Sequence, residues 1–218
     1  MEDALDEIRN RVLERALQDA PFDGWSDALL RAAAAAAGVT PAEALLGFPQ
    51  GVLDLLDYFA LASDRDMADR FAALDPAPEK IRDKITSLVR LRLDVMAPHK
   101  EAARKAAARL ALPDAAARGA RMAARTADAM WRAIDDPSTD FNYYSKRAIL
   151  TGVYLSTAGV WLNDDGPDQS RSWAFLDARI ENVMQFEKLK RTVAKAPFSP
   201  VSLLNGLARI RYPGRAAS

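Results

Sequence analysis

"SDALLRAAAAAAGVTPAEALLGFPQGVLDLLDYF", from Ser26 to Phe59, holds three helical runs separated by turns of only a few residues. Ser26 supplies a hydroxyl that can cap a helix running to Ala37, and Gly38 closes it. Thr40 caps a second short helix with Pro41 in its first position, ending near Leu46. Gly47 and Pro49 then punctuate the chain before a third helix, Gln50 to Ser63, whose apolar positions are Val52, Leu53, Leu56, Tyr58 and Phe59. Helices joined this tightly, in a chain with no alternating strand pattern of useful length, place the protein in the all-α class.

Working outward, Ala4 to Asp19 is amphipathic through Leu5, Ile8, Val12, Leu13, Ala16 and Leu17, and "APFDGW" is expected to break it. "DPAPEK" reads as a linker, which sets a first helical domain at 1–75 and a larger helical bundle at 76–196. The bundle's helices are expected at Glu79–Met96, Pro98–Leu110, Pro113–Ala133, Thr139–Asn163 and Gln169–Lys195. A short amphipathic helix, Ser199 to Ile210, begins the C-terminal segment 197–218 and brings the expected number to about ten.

At 218 residues the chain can bury one sizeable core, and 50% hydrophobic with 28% charged residues suits a helix-rich globular protein. No cysteine is present, which excludes disulfides, thiolate metal sites and cysteine nucleophiles. The single histidine, His99, argues against di-iron and zincin sites, which need at least two. It sits in "APHKEA" without a G-x-S-x-G nucleophile motif, and neither a Walker loop nor a G-x-G-x-x-G fingerprint occurs. The expectation is therefore a protein that is not an enzyme, with no catalytic residue, metal or cofactor. The acidic, amphipathic start "MEDALDEIRN" is unlike a signal or transit peptide, so the expected setting is bacterial cytoplasm, peripheral to the inner membrane.

The formal net charge is zero, yet the two halves are opposed. Met1 to Asp75 carries six Lys/Arg against fifteen Asp/Glu, and the remainder carries 24 against 15. This asymmetry bears on nucleic acid, because phosphate contacts from Lys and Arg supply most of the affinity for a duplex.

The segment "DPSTDFNYYSKRAILTGVYLSTAGVWL", Asp136 to Leu162, is unlike the rest. Ala148, Gly152, Ser156 and Gly159 share one face of its helix, as tight crossing or a cavity wall would require. Tyr143, Arg147, Leu150 and Tyr154 form a second stripe. On the next helix Trp173, Leu176, Asp177 and Ile180 line up, with Phe175, Ala178, Val183 and Phe186 offset from them. Two apolar faces call for two packing partners: the protein's own core, and either a second copy in a homodimer or a different protein. In the tail, Phe198, Val201, Leu203, Leu204, Leu207 and Ile210 make an apolar face flanked by Lys and Arg, suited to an anionic membrane surface or to docking on the protein itself.

The run from Val12 to Phe59, with "AAGVT" at its turn and "FP" before its last helix, resembles the three-helix helix-turn-helix domain of TetR-type repressors. That resemblance implies a TetR-like fold and, as an alternative function, a ligand-responsive transcriptional regulator. The recognition-helix candidate "TPAEALLGF" has no basic residue and one Glu, in an acidic domain, so no nucleic-acid partner is expected.

"TADAMWRAIDDPSTDFNYYSKRAILTGVYLSTAGVWLNDD", "SWAFLDARIENVMQFEKLK" and "RDKITSLVRLRLDVMAPHKEA" resemble the ubiquinone biosynthesis accessory family numbered ninth in the coenzyme Q series. The resemblance implies a TetR-like fold that binds an isoprenoid quinone intermediate or a phospholipid. It further implies presentation of that lipid to a membrane-associated hydroxylase of di-iron or flavin type. Under this resemblance the lipid pocket draws on Leu88, Leu91, Met122, Met130, Trp131, Phe141, Val153 and Met184. The partner surface draws on Leu150, Tyr154, Trp173 and Asp177, and the membrane-binding helix is the one from Ser199 to Ile210.

Overall fold

Side-chain caps set the register of the N-terminal helices. The backbone N–H of Leu29 donates to Ser26 Oγ at 3.1 Å. Thr40 and Glu43 cap each other in a reciprocal box, with Glu43 N donating to Thr40 Oγ1 at 3.3 Å and Thr40 N donating to Glu43 Oε2 at 2.8 Å. Gly51, at φ +66°, faces the Asp27 carboxylate so closely that a Cβ would collide with it. Asp27 Oδ1 uses that approach to accept from Val52 N at 2.8 Å, so the second helix caps the fourth.

The computed structural model describes residues 2–136 and 140–195, with side chains for 4–136 and 143–185. Among the described residues the helices are α1 (Glu2–Asp23), α2 (Asp27–Ala36), α3 (Pro41–Gly47), α4 (Val52–Ala72) and α5 (Ile81–Met96). A 3-10 turn, Ala97–His99, leads into α6 (Lys100–Leu110), α7 (Ala116–Ala133), α8 (Asp140–Leu162) and α9 (Ser170–Lys195). No strand occurs among the described residues, and no single helix there is long and apolar enough to cross a membrane. The fold is all-α, as the helical periodicity requires. The expected tenth helix, with Phe198, Val201, Leu203, Leu204, Leu207 and Ile210, lies outside the described residues.

The C-terminal ends of two helices differ most from expectation, while α5, α6 and α7 begin two to three residues later than expected. α1 runs through Pro21, which deletes one backbone bond near the last turn without ending the helix; Gly24 N then donates to Ala20 O at 3.0 Å. α4 continues from Ser63 to Ala72, because Ser63, Asp64 and Met67 turn inward and keep the buried stripe going.

By contact, the described residues divide into two units, one up to Ile180 and one from Glu181. In the first, α4 is the central post, packing against α1 and α2 on one side and α5 and α7 on the other. Leu55 and Leu56 are fully buried at its middle, each contributing about 1.5–3 kcal/mol of transfer free energy. Trp25 stacks on Phe59 with ring centroids 5.8 Å apart and donates its indole N–H to Ala102 O at 2.9 Å, tying α6 to the N-terminal helices. Packing is thus continuous across the linker read at 76–78. Part of the charge asymmetry is explained here. Acidic α4 meets basic α5 and α7 through Asp54 with Arg118, Asp57 with Arg118 and Arg125, and Asp64 with Arg92. In the second unit, Gln185 donates to Glu181 at 3.3 Å.

The turn between α8 and α9 is organised by one carboxylate. Asp164 accepts from Ser172 Oγ at 2.6 Å, from Ser172 N at 2.9 Å and from Gly166 N at 3.3 Å. The Ser172 hydroxyl, backed by the Ser172 and Gly166 amides and Lys100, holds its pKa below the ordinary value. Because the folded pKa is depressed, the unfolded chain takes up the proton first. The stabilisation is complete above a pH of about 3.9 and disappears as pH falls through the lower folded value. An Asp164→Asn variant should lose the part of the acid dependence of thermal stability that the wild type shows in that window, read as the difference between their melting curves across acidic pH.

Candidate functional site

Alanine spacing on α6 and α7 leaves volume that larger residues would fill. Ala103, Ala106 and Ala107 on α6 face Ala116, Ala120 and Ala123 on α7, and Gly119 brings the two helices close enough that a Cβ would lie 3.2 Å from Leu110 Cβ. The result is a cavity of about 440 Å³, within the range of small-molecule sites. Its floor is closed by Leu56 and Phe59 from α4, Met96 from α5 and Trp161 from α8, all buried. Its rim carries exposed Ala107, Ala111, Ala116 and Ala120, together with Leu155 of α8 at 50% exposure.

The α8 wall is held from outside. Arg104 donates through Nε and Nη2 to Leu162 O at 3.0 and 2.6 Å, occupying a terminal carbonyl of α8. Trp161 donates its indole N–H to Gln169 Oε1 at 2.7 Å, and the Lys100 ammonium lies 5.1 Å from its ring centroid.

Polar chemistry on this apolar lining is concentrated in one buried cluster. Arg92 is 2% exposed and donates through Nε to Asp64 Oδ1 at 2.6 Å and through Nη2 to Ala60 O at 3.3 Å. Asp64, 4% exposed, also accepts from Thr126 Oγ1 at 2.9 and 3.1 Å. Burial opposes the charge on Arg92, but Tyr154 and Asp64 outweigh it and its pKa is raised, so it remains a cation. Burial likewise raises the pKa of the Tyr154 phenol. Arg92 Nη1 is buried without a hydrogen-bond partner. Among the described residues no group of His, Asp and Glu is placed to hold a metal ion.

The residues expected at the lipid site are largely separated from this cavity. Met122 lines it. Leu88, Met130 and Val153 are buried elsewhere in the core and Leu91 is half-buried. Trp131 is buried beneath the Lys146 ammonium, 5.0 Å from its ring centroid. Met184 is exposed in the second unit, and the Phe141 side chain lies outside the described residues. Of the expected partner surface, Leu150 and Tyr154 turn inward at 3% and 7% exposure, so neither offers a side chain for docking; Tyr154 lines the cavity instead. Trp173 and Asp177 do reach the surface, where Arg90 lies 5.3 Å from the Trp173 ring centroid and 3.4 Å from Asp177 Oδ2.

The small-residue ladder of α8 is neither a helix crossing nor a cavity wall. Ala148, Gly152 and Gly159 are exposed, and a Cβ on either glycine would meet nothing within 4 Å. The wall comes from the adjacent stripe of Tyr154, Ala158 and Trp161. None of the cavity's alanines was expected there; the signal that would carry them is small residues recurring at helical spacing on two successive helices.

Residues 116–187 match the COQ9 family model. COQ9 proteins of Rattus norvegicus and Bos taurus, each named a mitochondrial ubiquinone biosynthesis protein, are 28% identical over 93% of this chain and 67% and 66% of their own. The Homo sapiens protein of that name is 26% identical over 93% of this chain and 66% of its own. The chain resembles the COQ9 proteins along nearly its whole length. It spans about two thirds of these COQ9 relatives. Their mitochondrial setting corrects the expectation of bacterial cytoplasm at the inner membrane: the first residues of a chain matching only part of its relatives do not report its compartment. A TetR transcriptional regulator of Nitrosomonas europaea superposes with a TM-score of 0.64 over 80% of this chain and 97% of its own, at 18% identity. The fold is therefore TetR-like, and at that identity the likeness speaks to fold alone.

The Arg92–Asp64 pair gives a stability prediction. Asp64→Leu alone strands a buried guanidinium and should cost about 3–5 kcal/mol in urea unfolding, whereas Arg92→Met combined with Asp64→Leu should recover most of the loss.

Proposed function

We propose that this protein is a non-catalytic accessory protein of ubiquinone biosynthesis that holds an isoprenoid quinone intermediate or phospholipid and presents it to a membrane-associated hydroxylase of the pathway. The observation that carries the reading is the apolar cavity of about 440 Å³ among α4 to α8, open at a rim of alanines and Leu155. Similarity to COQ9 proteins over 93% of the chain supports a place in that pathway. The cavity is apolar apart from the Arg92 cluster and Tyr154, which suits retention of a hydrophobic molecule better than bond-breaking.

Volume limits what enters. The cavity accommodates a ring with a short stretch of chain, so a long isoprenoid tail emerges past Leu155. Delivery to a hydroxylase requires a docking face, and the exposed Asp177 with half-buried Trp173 and Arg90 supplies an aromatic and charged set of the kind found at protein interfaces. α3 exposes Leu45 and Leu46 and carries no basic residue, which gives the transcriptional reading no support from charge.

Native mass spectrometry of the purified protein tests lipid retention. Bound isoprenoid quinone or phospholipid is expected on the wild type, and Ala106→Trp, which fills the cavity, should lose it while retaining the helical circular dichroism spectrum. Free wild type with no lipid adduct, and no rise in melting temperature with added quinone, would contradict the proposal.

A further inference from the structure

We infer that the cavity takes its ligand oxygen-first, with Arg92 Nη1 donating to a neutral acceptor oxygen such as a quinone carbonyl at the floor and the hydrocarbon tail leaving past Leu155. The inference deepens the lipid-binding reading and rests on it.

Four side chains on the lining carry polar groups: Arg92, Thr126, Tyr154 and Trp161, whose indole N–H is committed to Gln169. The Thr126 hydroxyl is committed to Asp64. The Tyr154 ring lies 5.9 Å from the guanidinium carbon, at the outer limit of cation–π contact, and its neutral phenol is a weaker donor than a guanidinium. Arg92 spends Nε on Asp64 and Nη2 on Ala60 O, and Nη1 is left buried with no acceptor. A buried cationic donor without a partner is costly, and Arg92 is one of the residues lining the cavity through which an acceptor can approach.

Charge selects the kind of acceptor. The Arg92 charge is already matched by Asp64 at 2.6 Å. A phosphate or carboxylate arriving at the same place would leave a surplus negative charge in an apolar enclosure, whereas a carbonyl oxygen fills the vacant donor and adds none. Hydrogen bonds to a charged donor in a dry site are among the strong ones, so one such contact can orient an otherwise featureless hydrocarbon. Orientation follows from the walls: Arg92, Met96 and Trp161 are buried at the closed end, and the exposed alanines and Leu155 lie at the open one.

The test compares three probes on the purified full chain: a short-tailed alkyl benzoquinone, the matching alkylbenzene without carbonyls, and the matching alkyl phosphate. Isothermal titration calorimetry reports binding of all three probes, and quenching of Trp161 fluorescence reports the arrival of the quinone in the cavity. The quinone should bind at least about tenfold more tightly than the alkylbenzene, the value of a hydrogen bond to a charged group, and the alkyl phosphate should gain nothing over the alkylbenzene. The infrared carbonyl band of the bound quinone should move to lower frequency. In the Arg92→Met, Asp64→Leu double variant, checked for folding by circular dichroism, the quinone preference and the band shift should both vanish. Equal wild-type affinity for quinone and alkylbenzene with an unshifted band overturns the oxygen-first inference and leaves lipid binding standing. Tighter binding of the phosphate overturns the choice of a neutral acceptor. Binding of none of the probes overturns the cavity reading and the inference together. If the double variant fails to fold, the wild-type probe series and the carbonyl band decide the matter without it.

Discussion

Asp64 on α4 accepts from Arg92 on α5 and from Thr126 on α7, at 2.6 and 2.9 Å, and that single buried carboxylate fixes the mutual positions of three helices around a space none of them fills. A buried ion pair contributes little net stability compared with apolar residues of the same size, because desolvation offsets the Coulomb attraction. Its consequence is geometric. Removing either partner leaves an uncompensated charge, so the helices cannot slide to collapse the cavity without breaking the pair. The salt bridges of Arg118 and Arg125 with Asp54 and Asp57 link the same two helices, α4 and α7, about two and three turns from Asp64 along α4.

The opposition of an acidic first third and a basic remainder acquires a physical meaning from this. Read as composition, it speaks against a duplex-binding surface on the N-terminal helices. In the folded chain part of it is complementarity within one compact unit, acidic α4 against basic α5 and α7. A TetR-like arrangement is retained while the helix that would enter a DNA groove carries leucines and a glutamate in place of cations.

Helix positions were legible because caps and terminators act locally. Ser26, Thr40 with Glu43, and Gly38 at φ +67° do in the structure what their identities imply. The ends of α1 and α4 were less so: Pro21 sits close enough to a terminus to be tolerated, and Ser63 bonds back to Phe59 O instead of stopping the helix. The site was mostly illegible, for a reason that applies to helical proteins generally. Periodicity shows which residues share a face but not which way the face turns. The α8 ladder of Ala148, Gly152 and Gly159 faces out, and Leu150 with Tyr154 faces in, although spacing alone treats both stripes alike. An alanine-lined cavity is harder still, since its signature is missing volume in residues that are also the best helix formers. Arg92, the polar centre of the lining, is one arginine among many until its burial is known.

Whether a hydrophobic ligand occupies the space between α6, α7 and α8 decides the function. Photolabelling with a quinone bearing a diazirine on its tail, followed by peptide mapping, addresses this directly. Adducts concentrated on the peptides that carry Met122 and Leu155 are the predicted result; adducts confined to surface residues away from the cavity, or none above background, would contradict it.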